Sequence, residues 1–309
     1  MISPLLPPTL VGAIGFVLLI ASMVLAFLLL LPFALVKLAV PYAPLQRACT
    51  EGMFGVVRFW GDCNEFICRL LYPVQWDLEI SGRLDPARSY LLLANHQSWI
   101  DILLLVHVFR HRVPPVCFFL KRELIWVPII GFACWAMDFP FMKRHSREAV
   151  ARNPQLALDD LASTRRACEK FRAHPATVIN FAEGTRCTEA KRLARRSPYR
   201  HLLRPKAAGM AYALGAMGDQ FAGVLDVTIA YRPSRHAPVW SFLSGEQNQL
   251  AIHVNVLPLP RELLNGDYLQ DAAYRERVQA WINARWEKKD AWLDKWLAGP
   301  EPAIRPRMT

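Results

Sequence analysis

From Ile2 to Val36 the chain has no ionisable side chain, and Thr9 to Leu31 is almost wholly Leu, Val, Ile, Ala, Phe and Gly. About 20 such residues suffice to bridge the hydrocarbon of a bilayer. The run is too long for a cleaved signal peptide and has no basic residues before it, so residues 1–42 are expected to form a retained membrane anchor. Its form is left open between a transmembrane helix and a re-entrant hairpin broken at Pro32. No Lys or Arg precedes the run, whereas Lys37, Arg47 and Arg58 follow it. That asymmetry is expected to leave the bulk of the chain in the cytoplasm.

Charge narrows the partners. Over 309 residues the formal net charge is +11, which favours an anionic partner: nucleic acid, an anionic lipid surface or a phosphorylated substrate. The apolar anchor favours lipid. Against nucleic acid, the chain shows neither zinc-ligand spacing, nor an aromatic RNA-binding strand, nor a basic recognition helix. The seven cysteines are scattered without CxxC spacing, so neither a disulfide frame nor a metal site is expected.

Beyond the anchor, apolar residues at helical spacing from Leu45 to Leu71 alternate with Arg47, Glu51, Arg58, Asp62 and Arg69, which predicts an amphipathic helix over 43–72. Strands are expected at 74–80, 89–94, 116–120, 139–142, 176–182, 224–231 and 252–257. Helices are expected from Ile100, from Asn153-Pro154 to about Phe171, over 207–216, and from about Tyr268 to Leu297. This alternation predicts an α/β domain over 73–260, a mixed sheet flanked by helices, followed by a C-terminal helical segment over 261–309. Ligands of such sheets sit at the carboxyl ends of strands.

One of those ends carries chemistry. The strand 90–94 runs into Asn95-His96-Gln97-Ser98-Trp99-Ile100-Asp101. Ser98 and Asp101 have the spacing of an N-cap and its capping-box acid, which puts the carboxylate where it can fix the tautomer of His96. A histidine so held can take a proton from an alcohol near neutral pH. As an isolated pair, the two also have an ordinary structural reading. A second strand end is Phe181-Ala182-Glu183-Gly184-Thr185-Arg186, where glycine permits a sharp turn, threonine adds a hydroxyl and arginine offers a fork for phosphate held by Glu183. Phe141-Met142-Lys143-Arg144 ends in two cations, and Arg204-Pro205-Lys206 opens a helix whose free amides favour an anion.

In this order, behind an apolar anchor, the blocks resemble the 1-acylglycerol-3-phosphate acyltransferase family over residues 70–260. The NHxSxxD block is matched by Asn95, His96, Ser98 and Asp101, and the FxEGTR block by Phe181, Glu183, Gly184, Thr185 and Arg186. Phe141 and Arg144 match the end of a further block, with Lys121 earlier in it. The strand Leu225 to Tyr231 lacks the proline often found in the fourth block. In this it looks like the lysocardiolipin branch and, with Ala133 to Arg144, like the bacterial YihG-type members.

The resemblance implies a glycerolipid acyltransferase fold and transfer of a fatty acyl group from an acyl-CoA or acyl carrier protein thioester to the sn-2 hydroxyl of lysophosphatidic acid. His96 would be the general base and Asp101 its orienting partner. Arg144, Glu183, Gly184, Thr185 and Arg186 would hold the phosphate, with Lys121, Lys143 and Lys206 in support. Backbone amides after His96 are candidates for the oxyanion. No cofactor is implied beyond the thioester co-substrate, and no covalent acyl-enzyme is required, because a thioester is already activated. Two alternatives stay open: a lysolipid with a larger head group, such as lysophosphatidylglycerol, and a membrane-anchored anionic-lipid-binding protein without catalysis.

Overall fold

A computed structural model describes residues 6–299 except 73, 140, 143–151, 154, 157–158, 160–161, 163–174, 233, 235–236, 248, 265 and 269. The expected helix from Asn153 to Phe171 falls largely outside the described residues, as do Lys143 and Arg144.

The apolar run forms one unbroken helix, α1 (Pro8–Ala39), that continues through Pro32, so the re-entrant form is not adopted. Pro32 forfeits one helical hydrogen bond, which flanking packing makes tolerable. Helix α2 (Ala43–Leu71) folds back along α1. Small residues let the two, and the domain behind them, approach closely: a Cβ on Gly12 would lie 2.9 Å from the Trp240 ring, and one on Gly52 2.6 Å from that of Phe33. Ser22 donates to Asn64 at 2.9 Å. Phe27 meets Phe132 edge-on at 5.8 Å, Leu30 and Ala34 are buried in the main core, and Lys37 pairs with Asp138. Thus α1 is held along its whole length, while its opposite face, from Leu10 to Leu38, is exposed and apolar.

The α/β domain is built on a six-stranded mixed sheet in the order β1-β8-β7-β2-β6-β3, with β7 and β8 antiparallel and the other neighbours parallel. The strands are β1 (Gln75–Ser81), β2 (Ser89–Ala94), β3 (Val116–Phe118), β6 (Thr177–Phe181), β7 (Phe221–Tyr231) and β8 (Gln249–Leu257). The expected strand at 116–120 is interrupted: its end, β4 (Leu120–Lys121), pairs instead with β5 (Phe141–Met142) in a separate ladder. Helix α3 (Ile100–Phe109) follows β2, and α4 (Ile130–Ala136) follows a 3₁₀ turn at Arg122–Trp126. The remaining helices are α5 (Glu189–Ala194), α6 (Ala207–Met217), α7 (Pro238–Leu243) and α8 (Ala272–Ala298).

Strand β2 is buried at every position, which explains its continuous apolar sequence. Leu91 and Leu93 face the core under α6 and α8, whereas Leu92 and Ala94 face the core under α3. Because β2, β6 and β7 are parallel, all three deliver their carboxyl ends to one edge. The register Ala94↔Phe181 sets the residues after β2 beside those after β6. Helix α8 lies on the far face of the sheet and buries Trp286 and Lys289 completely in the same core. Trp281, Trp292 and Trp296 of the same helix pack against that core.

Candidate active site

His96 leaves β2 and projects beyond the sheet edge, with its ring on the face of Phe181 (centroids 4.1 Å apart, planes inclined by 22°) and Phe118 beyond that. Its Nδ1 lies 2.7 Å from Asp101 Oδ2. That oxygen also accepts from the amides of Gln97 at 2.7 Å and Ser98 at 3.0 Å, and Tyr231 donates to Oδ1. Asp101 is fully buried. Four donors surround it, and its bond to Nδ1 selects the tautomer of the neutral ring in which Nδ1 carries the hydrogen and Nε2 is the acceptor. Nε2 has no hydrogen-bond partner among the described residues. The loop is set by Asn95, whose side chain extends the sheet by exchanging hydrogen bonds with Ile229 (2.8 and 2.9 Å).

The expected capping box is half realised. Asp101 reaches back to the Ser98 amide, and Ser98 Oγ accepts from Ile100 at 3.3 Å. The same bonds correct the oxyanion assignment: the amides of Gln97 and Ser98 are already committed to Asp101.

The second loop joins the first directly. Cys187 donates its amide to the carbonyl of His96 at 2.6 Å, and the Arg186 guanidinium stacks over Trp99, 5.0 Å from the ring centroid. Gly184 turns the loop at φ 68°, a conformation that disfavours side chains. A Cβ there would sit 3.5 Å from Lys206 Nζ, so Lys206 overlies the turn, while its amide donates to Ala182. Lys191 donates to Thr185 Oγ1 at 2.9 Å and to the Arg186 carbonyl at 3.2 Å. Three cations therefore gather on a loop tied to His96. Lys121 belongs to β4, paired with Met142 immediately before Lys143 and Arg144.

Glu183 does not join them. It is fully buried and turns inward, away from the surface that a phosphate would reach. Neither carboxylate oxygen completes a hydrogen bond among the described residues, and the Trp286 indole N–H close by is likewise unpartnered. Burial pushes its carboxyl up to about 8 from an ordinary 4.5, and the charge of Asp101 adds to the push. The nearby donors on Leu203, Trp286 and His96 only partly offset it. Burial thus favours the neutral form of Glu183, which makes no ion pair with Arg186 among the described residues.

A folded-state value above the ordinary one means that folding takes up a proton. This carboxyl therefore favours the fold at low pH and loses that contribution as pH climbs from about 4.5 to about 8. Glu183→Gln, which mimics the neutral form, should gain stability relative to the parent chain through that window. Urea unfolding at about pH 5 and about pH 9 measures it; a difference independent of pH would place a charged carboxylate in the fold.

Tyr231 and Lys191 were not singled out in the sequence. Tyr231 had a signal, since it ends a strand parallel to β2 and so reaches the same edge. Lys191 had none beyond its place after the loop.

The family profile described as Acyltransferase matches residues 77–232, half of the chain, and the chain belongs to that family. Among curated relatives, mouse 1-acyl-sn-glycerol-3-phosphate acyltransferase alpha is 28% identical over 120 residues, 38% of this chain and 41% of the relative. The delta form of mouse is 26% identical over 202 residues (60% and 48%), and the epsilon form of mouse 23% over 238 (70% and 60%). The chain thus spans between two fifths and three fifths of the length of these relatives. The crystal structure of the 1-acyl-sn-glycerophosphate (LPA) acyltransferase PlsC from Thermotoga maritima is similar with a TM-score of 0.49 and 16% identity, covering 90% of this chain and 98% of that one.

Proposed function

We propose that this acyltransferase moves a fatty acyl group from a thioester, carried by coenzyme A or acyl carrier protein, to the sn-2 hydroxyl of 1-acylglycerol-3-phosphate. The observation that carries the reading is the joining of the His96 loop to the cationic loop through the Cys187 amide and the Arg186–Trp99 stack. It brings an imidazole and a group of cations to one edge of the sheet, which supports the reading.

His96 Nε2 takes the proton of the acceptor hydroxyl as the oxygen attacks the thioester carbonyl. The C–S bond then breaks, and the proton passes from the imidazolium to the leaving thiolate. Asp101 stabilises the imidazolium between these steps. Arg186, Lys206 and the Gly184-Thr185 turn grip the phosphate, which does not react, and so place the hydroxyl against His96. Arg144, Lys143 and Lys121 are proposed to extend that cationic surface. Mass spectrometry of products from the purified chain, offered lysophosphatidic acid, lysophosphatidylglycerol and both donors, tests the assignment. Phosphatidic acid as the main product supports it; transfer only to larger head groups replaces the acceptor, and no transfer at all removes the reaction.

We further infer that the chain lies along one leaflet instead of crossing it, with both termini of α1 in the cytoplasm. Contacts with the domain at Gly12, Phe27, Leu30 and Lys37 leave no stretch of α1 free to span. A tag at the amino terminus should be cleaved by protease added to inside-out membrane vesicles; full protection would mean a crossing.

A further inference from the structure

Between Glu123 and Asp138 the chain Leu124-Ile125-Trp126-Val127-Pro128-Ile129-Ile130-Gly131-Phe132-Ala133-Cys134-Trp135-Ala136-Met137 carries no charged side chain. It is nonetheless a surface feature. Trp126 is 85% exposed, Ile130 50% and Trp135 43%, with Leu124 and Val127 also exposed. Its shape is fixed: Gly131 lies against the Leu124 and Ile125 carbonyls, where a Cβ would come within 2.5 and 2.4 Å, and Ile129 holds φ at 65°. A rigid backbone that holds two tryptophans and an isoleucine outward is a surface built to be covered.

What covers it follows from its neighbour. Phe132 packs edge-on against Phe27, and Lys37 at the end of α1 donates to the Ala136 carbonyl at 2.8 Å and pairs with Asp138. The patch therefore abuts α1, whose outer face is also exposed and apolar, while exposed Arg122 and Glu123 form a polar border before it. Tryptophan beside a charged border is the composition of an element seated at head-group depth.

We propose that Leu124 to Trp135 is a second lipid-inserting element, entering the acyl region of the same leaflet on which α1 lies. This rests on the membrane association proposed above. It makes the membrane contact a two-point one, with α1 and the Trp126 turn inserted together.

The test uses the full chain and phosphatidylethanolamine–phosphatidylglycerol vesicles with brominated acyl chains, which quench tryptophans in contact with them. Trp126→Phe should bind as the parent chain does but lose part of the quenchable fluorescence. Trp126→Asp with Ile130→Asp should lower vesicle partitioning at least about tenfold, because carboxylates enter the acyl region unfavourably, while the melting transition stays unchanged. If the double variant melts early, the Trp126→Phe comparison still decides.

The proposal is overturned if the parent chain binds and is quenched while Trp126→Phe loses no quenchable signal and the double variant partitions normally. A parent chain that binds no vesicles overturns the membrane reading itself. Dimers in vesicle-free buffer that the double variant dissolves would assign the patch to a second copy of the chain.

Discussion

Replacing His96 by alanine should lower the turnover number by about 10²–10⁴, the range general-base catalysis supplies, equivalent to about 3–5 kcal/mol. Binding of the acyl donor and the melting temperature should change little, because the ring is held on Phe181 at the sheet edge and its side chain makes no backbone bond. Steady-state kinetics of the purified variant measures the effect. Equal turnover in the two proteins would make His96 structural and leave Asp101 as no more than a helix cap.

The second large effect is on stability and comes from outside the matched family region. Lys289 of α8 crosses to the centre of the sheet, where its ammonium donates to the Val227 carbonyl at 2.6 Å and the Leu93 carbonyl at 3.4 Å and pairs with Asp226. Burial lowers its pKa, and the Asp226 carboxylate opposes that shift. Both side chains are almost wholly inaccessible. Lys289→Ala would strand a buried carboxylate between β2 and β7, which costs about 3–5 kcal/mol. Lys289→Met with Asp226→Leu removes both charges and should recover most of the loss. Denaturant unfolding of the three proteins checks this; a single variant as stable as the parent would mean that the pair is solvated.

That ion pair marks a limit of reading the sequence alone. Strands β2, β6, β7 and β8 were legible because their apolar runs are short, rich in branched residues and bounded by turn formers. The His96–Asp101 pair was legible because it is local, five residues apart across one strand-to-helix turn. The distant neighbours of Asp101 and Glu183 were not. Tyr231 and Trp286 reach the site only through the parallel order of β2 and β7 and the docking of α8, contacts between residues more than 100 apart in the chain. Glu183 was misplaced for the same reason. Its neighbour Arg186 invited a local ion pair, whereas Glu183 is buried beside Trp286 and Arg186 stacks on Trp99. The split of β3 from β4 lay in the pairing of Leu120 with Phe141, which local sequence does not encode.

His96 and Arg186 are proposed to act on two ends of one acceptor molecule. Kinetics of Arg186→Ala with acceptors that do and do not carry phosphate test it most directly. A charge-assisted guanidinium–phosphate contact is worth about 1.5–3 kcal/mol, so KM for lysophosphatidic acid should rise about 10- to 100-fold with the thioester KM unchanged. The slow reaction with a monoacylglycerol, which has no phosphate, should proceed equally in both proteins. A KM that shifts for the thioester alone, or for neither substrate, would contradict the account.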